Sequence, residues 1–305
     1  MSPSRHATGT HRGEVGRRVA IALACASAGG CGASPQPTAS ATPMLPVPPR
    51  TLTCPGSALA PQLSGLQLAD REARILAMFE QGNVPTFLAE LVPVTLRARI
   101  GEHDHEATVW CTPDCFGLGI DDDWLRLPLT PLLAQRLADR LGCTLPTRRL
   151  VDTIWAQATV KVEPHPFHPR DHDILSVAVF AASHAAIEAA RGDAPRTALL
   201  AGHKKDVVIS ALLRDWPNRV VIYGWHHLDG KPIQPLWKGH TQGHVDYSHG
   251  IRFVARAMQL DGVATTVDAV LAHPELHVLL SDEGPIAPAR YPDPTPGAVI
   301  TPTAR

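Results

Sequence analysis

The stretch TPLLAQRLADRLGCTLPTRRLVDTIWAQA, Thr130–Ala158, sets the fold class. Thr130 is an N-cap residue type and Pro131 stands at the first helical position, where its missing N–H costs nothing. Leu132, Leu133, Leu137 and Leu141 recur at helical spacing, and Gly142 ends the run. Thr147 starts a second helix with Leu150, Val151, Ile154 and Trp155 on its apolar face. Two short amphipathic helices joined by a tight Gly-containing link predict a central helical hairpin.

Strand signals lie on both sides of this hairpin. Upstream, Ala69–Gln81 has helical periodicity and stops at Gly82-Asn83. Val94, Leu96, Ala98 and Ile100 alternate with Thr95, Arg97 and Arg99, which predicts a strand. Two further strands are expected at Ala107–Trp110 and Phe116–Ile120. Asp121-Asp122-Asp123 follows, either a solvated turn or a calcium loop. Downstream, a third helix is expected from Asp173 to Arg191, ended by Gly192. After it come the β-branched runs Val207–Ile209 and Arg219–Tyr223, a strand at His244–Val254 and a partly helical Val263–Leu280. Helices grouped in the middle and strands around them predict an α+β domain with a mixed or antiparallel C-terminal sheet.

The ends of the chain have another character. Arg12, Arg17 and Arg18 precede the apolar run Val19–Ala28, which is too short to span a bilayer and fits a secretory signal. Ala28-Gly29-Gly30-Cys31 resembles the lipobox of bacterial lipoproteins, which implies a lipid anchor at Cys31. Residues 32–53 are rich in Pro, Ala and Ser and are expected to form a tether, and residues 285–305 a Pro-rich tail. Residues 54–284 remain for a single globular domain. With 28 Lys and Arg against 29 Asp and Glu, the chain offers no electrostatic footprint for nucleic acid. An exported chain with Cys54, Cys111, Cys115 and Cys143 is expected to form two disulfides; the alternative is zinc held by Cys111, Cys115 and His103 or His105.

Gly202–Arg252 carries the candidate chemistry, with six of the 16 histidines: His203, His226, His227, His240, His244 and His249. Histidine both ligates metals and moves protons near neutral pH. Read as a strand, His244–Phe253 places His244, Asp246, Ser248 and Arg252 on one face and Val245, Tyr247, His249, Ile251 and Phe253 on the other. Two mechanisms can use that polar face. In one, His203, Asp206, His244 and Asp246 hold a catalytic Zn²⁺. In the other, Ser248 is the nucleophile, His226 or His249 the base, and Asp246 or Asp206 orients it. Trp225 and Trp237 are candidates for stacking on substrate, with Lys205 beside them.

Ser248-His249-Gly250-Ile251-Arg252 resembles the Ser-His-Gly-Cys-x-Arg motif of L,D-transpeptidases over these five residues. Ile251 stands where that family has its nucleophilic Cys, and Arg252 comes one position early, so the family's chemistry does not carry over. The expectation from the sequence is an exported, outer-membrane-anchored lipoprotein, periplasmic or at the cell surface. It would hydrolyse a cell-envelope or extracellular polymer, peptide or glycan, through its His/Asp/Ser cluster. The alternative is a non-catalytic envelope lipoprotein with a cleft for a small-molecule ligand.

Overall fold

A computed structural model describes residues 43–292. The expected secretory signal, the expected anchor at Cys31 and the part of the expected tail beyond residue 292 lie outside the described residues. The class is α+β. One all-antiparallel sheet runs in the order Val263–Thr266, Ala257–Leu260, His103–Cys111, Val254–Ala255, Cys143–Thr144, and Val92–Ile100 also pairs with His103–Cys111. A second, mixed sheet runs Pro232–Trp237, Ile222–His226, Lys205–Val207, His249–Gly250. Its last pair is parallel, with His249 opposite Lys205 and Gly250 opposite Asp206. This second sheet carries most of the candidate site.

The caps explain the helices. The Thr130 hydroxyl accepts from the Leu133 N–H at 3.2 Å and starts Pro131–Arg140; it also donates to Glu72 at 2.8 Å. The Thr147 hydroxyl accepts from the Leu150 N–H at 3.2 Å and starts Arg148–Gln157. Cys143–Thr144 joins the two, and each leans on its own neighbours. Arg148–Gln157 packs on Ile222–His226 and Val92–Ile100, whereas Pro131–Arg140 packs on Leu68–Glu80. The third helix begins at Val177 rather than Asp173. Ser176 caps it through the Val179 N–H, and the Asp173 carbonyl closes the turn before it by accepting from the Ser176 N–H.

Two elements lack a sequence signal because of proline. Gly56–Leu63 is helical although Pro61 lies inside it. Pro232–Trp237 is a strand despite Pro232 and Pro235, which is tolerable because it lies at a sheet edge where missing donors face outward.

The packed chain extends past both expected boundaries. In the expected tether, Leu45 is buried and its N–H donates to the Ala89 carbonyl at 2.8 Å, and Arg50 donates to the Val84 carbonyl at 2.7 Å. In the expected tail, Tyr291 is fully buried, and its hydroxyl donates to Val208 O at 2.8 Å and accepts from the Val221 N–H at 3.0 Å. A few large apolar side chains offset the entropy of ordering such segments, and composition averages over them.

The expectation of two disulfides is corrected. Cys54, Cys111, Cys115 and Cys143 are free and buried. Cys111 and Cys143 lie on opposite sides of Val254–Ala255, which pairs with both strands. Two strand spacings are about 9.6 Å, beyond the roughly 7 Å limit for a disulfide. The zinc alternative fails on length, because His103 and Cys111 are the two ends of one nine-residue strand, roughly 27 Å apart. Asp121 and Asp123 serve as turn acceptors: Asp121 takes the Thr86 N–H and hydroxyl, and Asp123 those of Ser57.

Candidate metal centre

The expected strand His244–Phe253 exists only as His249–Gly250, with Val254–Ala255 continuing into the other sheet. The cause is local. Asp246 Oδ1 accepts from both the Ser248 N–H, at 2.7 Å, and the Ser248 hydroxyl, at 2.5 Å. An aspartate bonding two residues ahead makes a turn, which competes with extended backbone. Strand alternation therefore does not describe this segment, and the predicted faces rearrange. His249 comes to the Asp246 side, with Nε2 3.8 Å from Asp246 Oδ2. Arg252 leaves it, donating instead to the carbonyls of Thr112 at 2.6 Å and Leu200 at 2.7 Å, with Asp206 3.9 Å away.

Asp246 Oδ2, the oxygen that Ser248 does not use, lies 3.3 Å from His244 Nε2. The His244 ring stacks on His240, with centroids 3.7 Å apart and planes 16° from parallel. Burial works against the Asp246 charge, yet His249 beside it and the bonds from His244 and Ser248 hold its carboxyl far below the usual carboxylate range. Burial, then the neighbouring His244 ring, pushes His240 down to about 4, so its ring is neutral near pH 7. His249 is wholly enclosed, is pushed down to about 4 by burial, and has no hydrogen-bond partner on either ring nitrogen. Lys205, lowered by burial and raised by Asp246, completes the surroundings, its ammonium 4.8 Å over the Trp225 ring.

Two groups among the described residues bring ligand-type atoms within 4.8 Å of one another and could hold a metal ion: His240, His244 and Asp246, and separately Asp114, Cys115 and His203. The expected quartet of His203, Asp206, His244 and Asp246 is thus divided. His203 and Asp114 belong to a buried ionic knot. Asp114 is bound by Arg126, Nε to Oδ1 at 3.0 Å and Nη2 to Oδ2 at 2.5 Å, and by His203 Nε2 at 3.1 Å. Arg126 also pairs with Glu188 at 2.7 Å. Burial pushes the Cys115 thiol up to about 12, and Asp114 already has its oxygens bound by Arg126 and His203. Chemistry favours the His240 group. Its carboxylate faces histidine rings and no guanidinium, and its two histidines are only partly buried.

The remaining predicted residues fall elsewhere. His226 is buried with Nε2 2.9 Å from Asp152 Oδ1, which also accepts from the Tyr223 hydroxyl at 2.8 Å, and its ring stacks on Trp155. It has no bond to Ser248. Ser248 gives its own hydroxyl proton to Asp246 directly, an arrangement without an intervening base. Trp225 is buried with a backbone φ of 60°, and its backbone N–H donates to the Lys204 carbonyl. Asp206 is buried with Arg252 Nε 3.9 Å away, and burial pushes its carboxyl up to about 6. His240 was not among the predicted ligands, although His240-x3-His244-x-Asp246 is a spacing that could have drawn attention to it. Compared with protein-family models, with curated proteins and with solved structures, the chain matches none of them.

Proposed function

We propose that this protein is a zinc-dependent hydrolase of a cell-envelope or extracellular polymer, with His240, His244 and Asp246 as metal ligands. The observation that carries the reading is the convergence of these three side chains at a partly open position, one of them a carboxylate fixed by Ser248. Two imidazoles and a carboxylate are the ligand types of hydrolytic zinc, which keeps a further position free for water. Bound zinc supplies Lewis acidity, polarising the scissile bond and acidifying a water.

The chain's own residues then have distinct tasks. Ser248 orients the Asp246 carboxylate, the kind of outer contact that tunes ligand basicity. His240, stacked on the His244 ring, presents a neutral imidazole. Lys205 faces the cluster and is positioned to offset negative charge developing on the substrate. A secretory signal and a Cys31 anchor would place this activity outside the cytoplasm, at the envelope.

The test is metal content together with hydrolysis. Purified protein is expected to take up stoichiometric zinc, to release soluble fragments from isolated cell-wall polymer, and to lose both properties on His244→Ala. Protein that remains zinc-free after dialysis against the metal, or cleavage indifferent to chelator, sinks the proposal.

A further inference from the structure

Beside the metal cluster lies a groove of about 320 Å³ lined by Asp215, Trp216, Pro217, Asn218, Arg219 and Thr241. It is continuous with the His240 segment through the backbone. Arg219 and Thr241 form a β-bridge, the Val220 N–H donates to the His240 carbonyl at 3.3 Å, and the Gln242 N–H donates to the Asn218 carbonyl at 3.0 Å. Trp216 lines the groove and is 44% exposed; Trp237, 38% exposed, stands outside its lining, against the His240 ring.

The posture of Trp237 is built by its neighbours. The His240 ring meets it edge-on at 4.5 Å. On Gly239, an added Cβ would fall 1.9 Å from the indole, so only glycine lets the ring lie down against the backbone there. Trp216 is held by the Lys238 ammonium, 4.3 Å from its ring. Both indoles are fixed by neighbours while part of each stays open to solvent, Trp216 in the groove and Trp237 beside His240. Indole faces carry negative charge in their π systems and attract polarised C–H groups, and the flanking amide, carboxylate and guanidinium suit hydroxyls. A pyranose ring offers this combination, a flat C–H face with hydroxyls around its rim; an extended peptide does not.

We infer that Trp216 and Trp237 form a glycan-binding subsite that feeds a sugar polymer to the His240 cluster. The inference rests on the hydrolase reading for what happens next, but binding stands apart from the metal and can be tested apart from it. In the test, a β-1,4-linked N-acetylglucosamine hexamer is titrated into the full chain and tryptophan fluorescence is followed. A saturable change is expected, with affinity at least tenfold weaker in Trp237→Ala and in Trp216→Ala, and intermediate in Trp237→Phe, which keeps part of the stacking face. Gly239→Ala should weaken binding as well, by displacing the Trp237 ring without removing it. Trp216→Ala is expected to bind zinc as the parent does. Sugar binding that persists in His244→Ala, where zinc is lost, confirms the subsite as a separate entity. If sugar binds normally but no chain binds zinc, the subsite stands and the hydrolase reading falls. No saturable response to the hexamer, affinity unchanged in both alanine variants, or an alanine-rich peptide competing equally well overturns the inference.

Discussion

The Asp114–Arg126 knot and the His240–Asp246 cluster use the same residue types to different ends. In the knot every charge meets an opposite one inside the protein: Asp114 takes Arg126 and His203, and Arg126 also takes Glu188. In the cluster three histidines gather around one carboxylate with no arginine among them, and His249 lacks partners on both nitrogens where His203 in the knot lacks one only on Nδ1. A buried charge satisfied from within is a structural device. Ligand-type groups left to face one another await a partner from outside.

The difference should be plainest on truncation. Arg126→Met leaves Asp114 buried without its main partner. It is expected to cost about 3–5 kcal/mol and lower the melting temperature by roughly 10 °C or more, as read by calorimetry. A loss under about 1 kcal/mol would falsify the view of the knot as a closed structural unit.

Acid should unpick the same region. Burial, then the Arg126 charge, pushes His184 down to about 3, and burial pushes His203 down to about 4. Both stay neutral in the fold while the unfolded chain takes up protons near pH 6.5. Their contribution is therefore complete above about pH 6.5 and declines as the pH falls toward 3–4. Glu188, held near 2 against burial by its bonds to Arg191 and Arg126, adds a loss of the same sign below about pH 4.5. Denaturant midpoints measured from pH 7 to pH 3 should fall steadily. A flat profile would mean that these groups are solvated rather than enclosed.

The cluster is expected to respond to metal instead. Zinc at about a hundred times its dissociation constant should stabilise the protein by about 2.7 kcal/mol, visible as a rise of several degrees in melting temperature. His240→Ala and Asp246→Asn should abolish the rise. If either variant keeps it, the ion sits elsewhere, and the Asp114 group becomes the site to examine.

The smallest effect is the sharpest contrast. Without metal, His244→Ala should lower the melting temperature clearly less than Arg126→Met, because Asp246 keeps both bonds from Ser248 when the imidazole is gone. A loss as large as that of Arg126→Met would erase the distinction between the two regions.

Local chemistry made much of the fold legible. The Thr130 and Thr147 caps, the alternation of Val94–Ile100 and the stop at Gly192 each depend on neighbours within a few residues, and each appears where the sequence places it. The candidate site was legible as a region, since His244, Asp246, Ser248 and His249 stand in one dense stretch and do meet. Its membership was not. Asp152 lies 74 residues from His226 and Asp114 lies 89 from His203, and nothing in the spacing of either announces the pair.

By itself, then, the sequence determined the helices capped by Thr130 and Thr147, the α+β class and the crowding of histidines between Gly202 and Arg252, because these follow from periodicity, short-range hydrogen bonding and composition. The tertiary structure alone decided which polar groups neutralise one another. Asp246 turns back on Ser248 instead of continuing a strand, which moves His249 toward the carboxylate and sends Arg252 to the carbonyls of Thr112 and Leu200. All four cysteines are free, and for Cys111 and Cys143 the cause is sheet spacing, which holds them two strands apart. Burial is a property of the assembled layers, and it is burial that separates a charge needing a partner within the protein from one free to take its partner from solution.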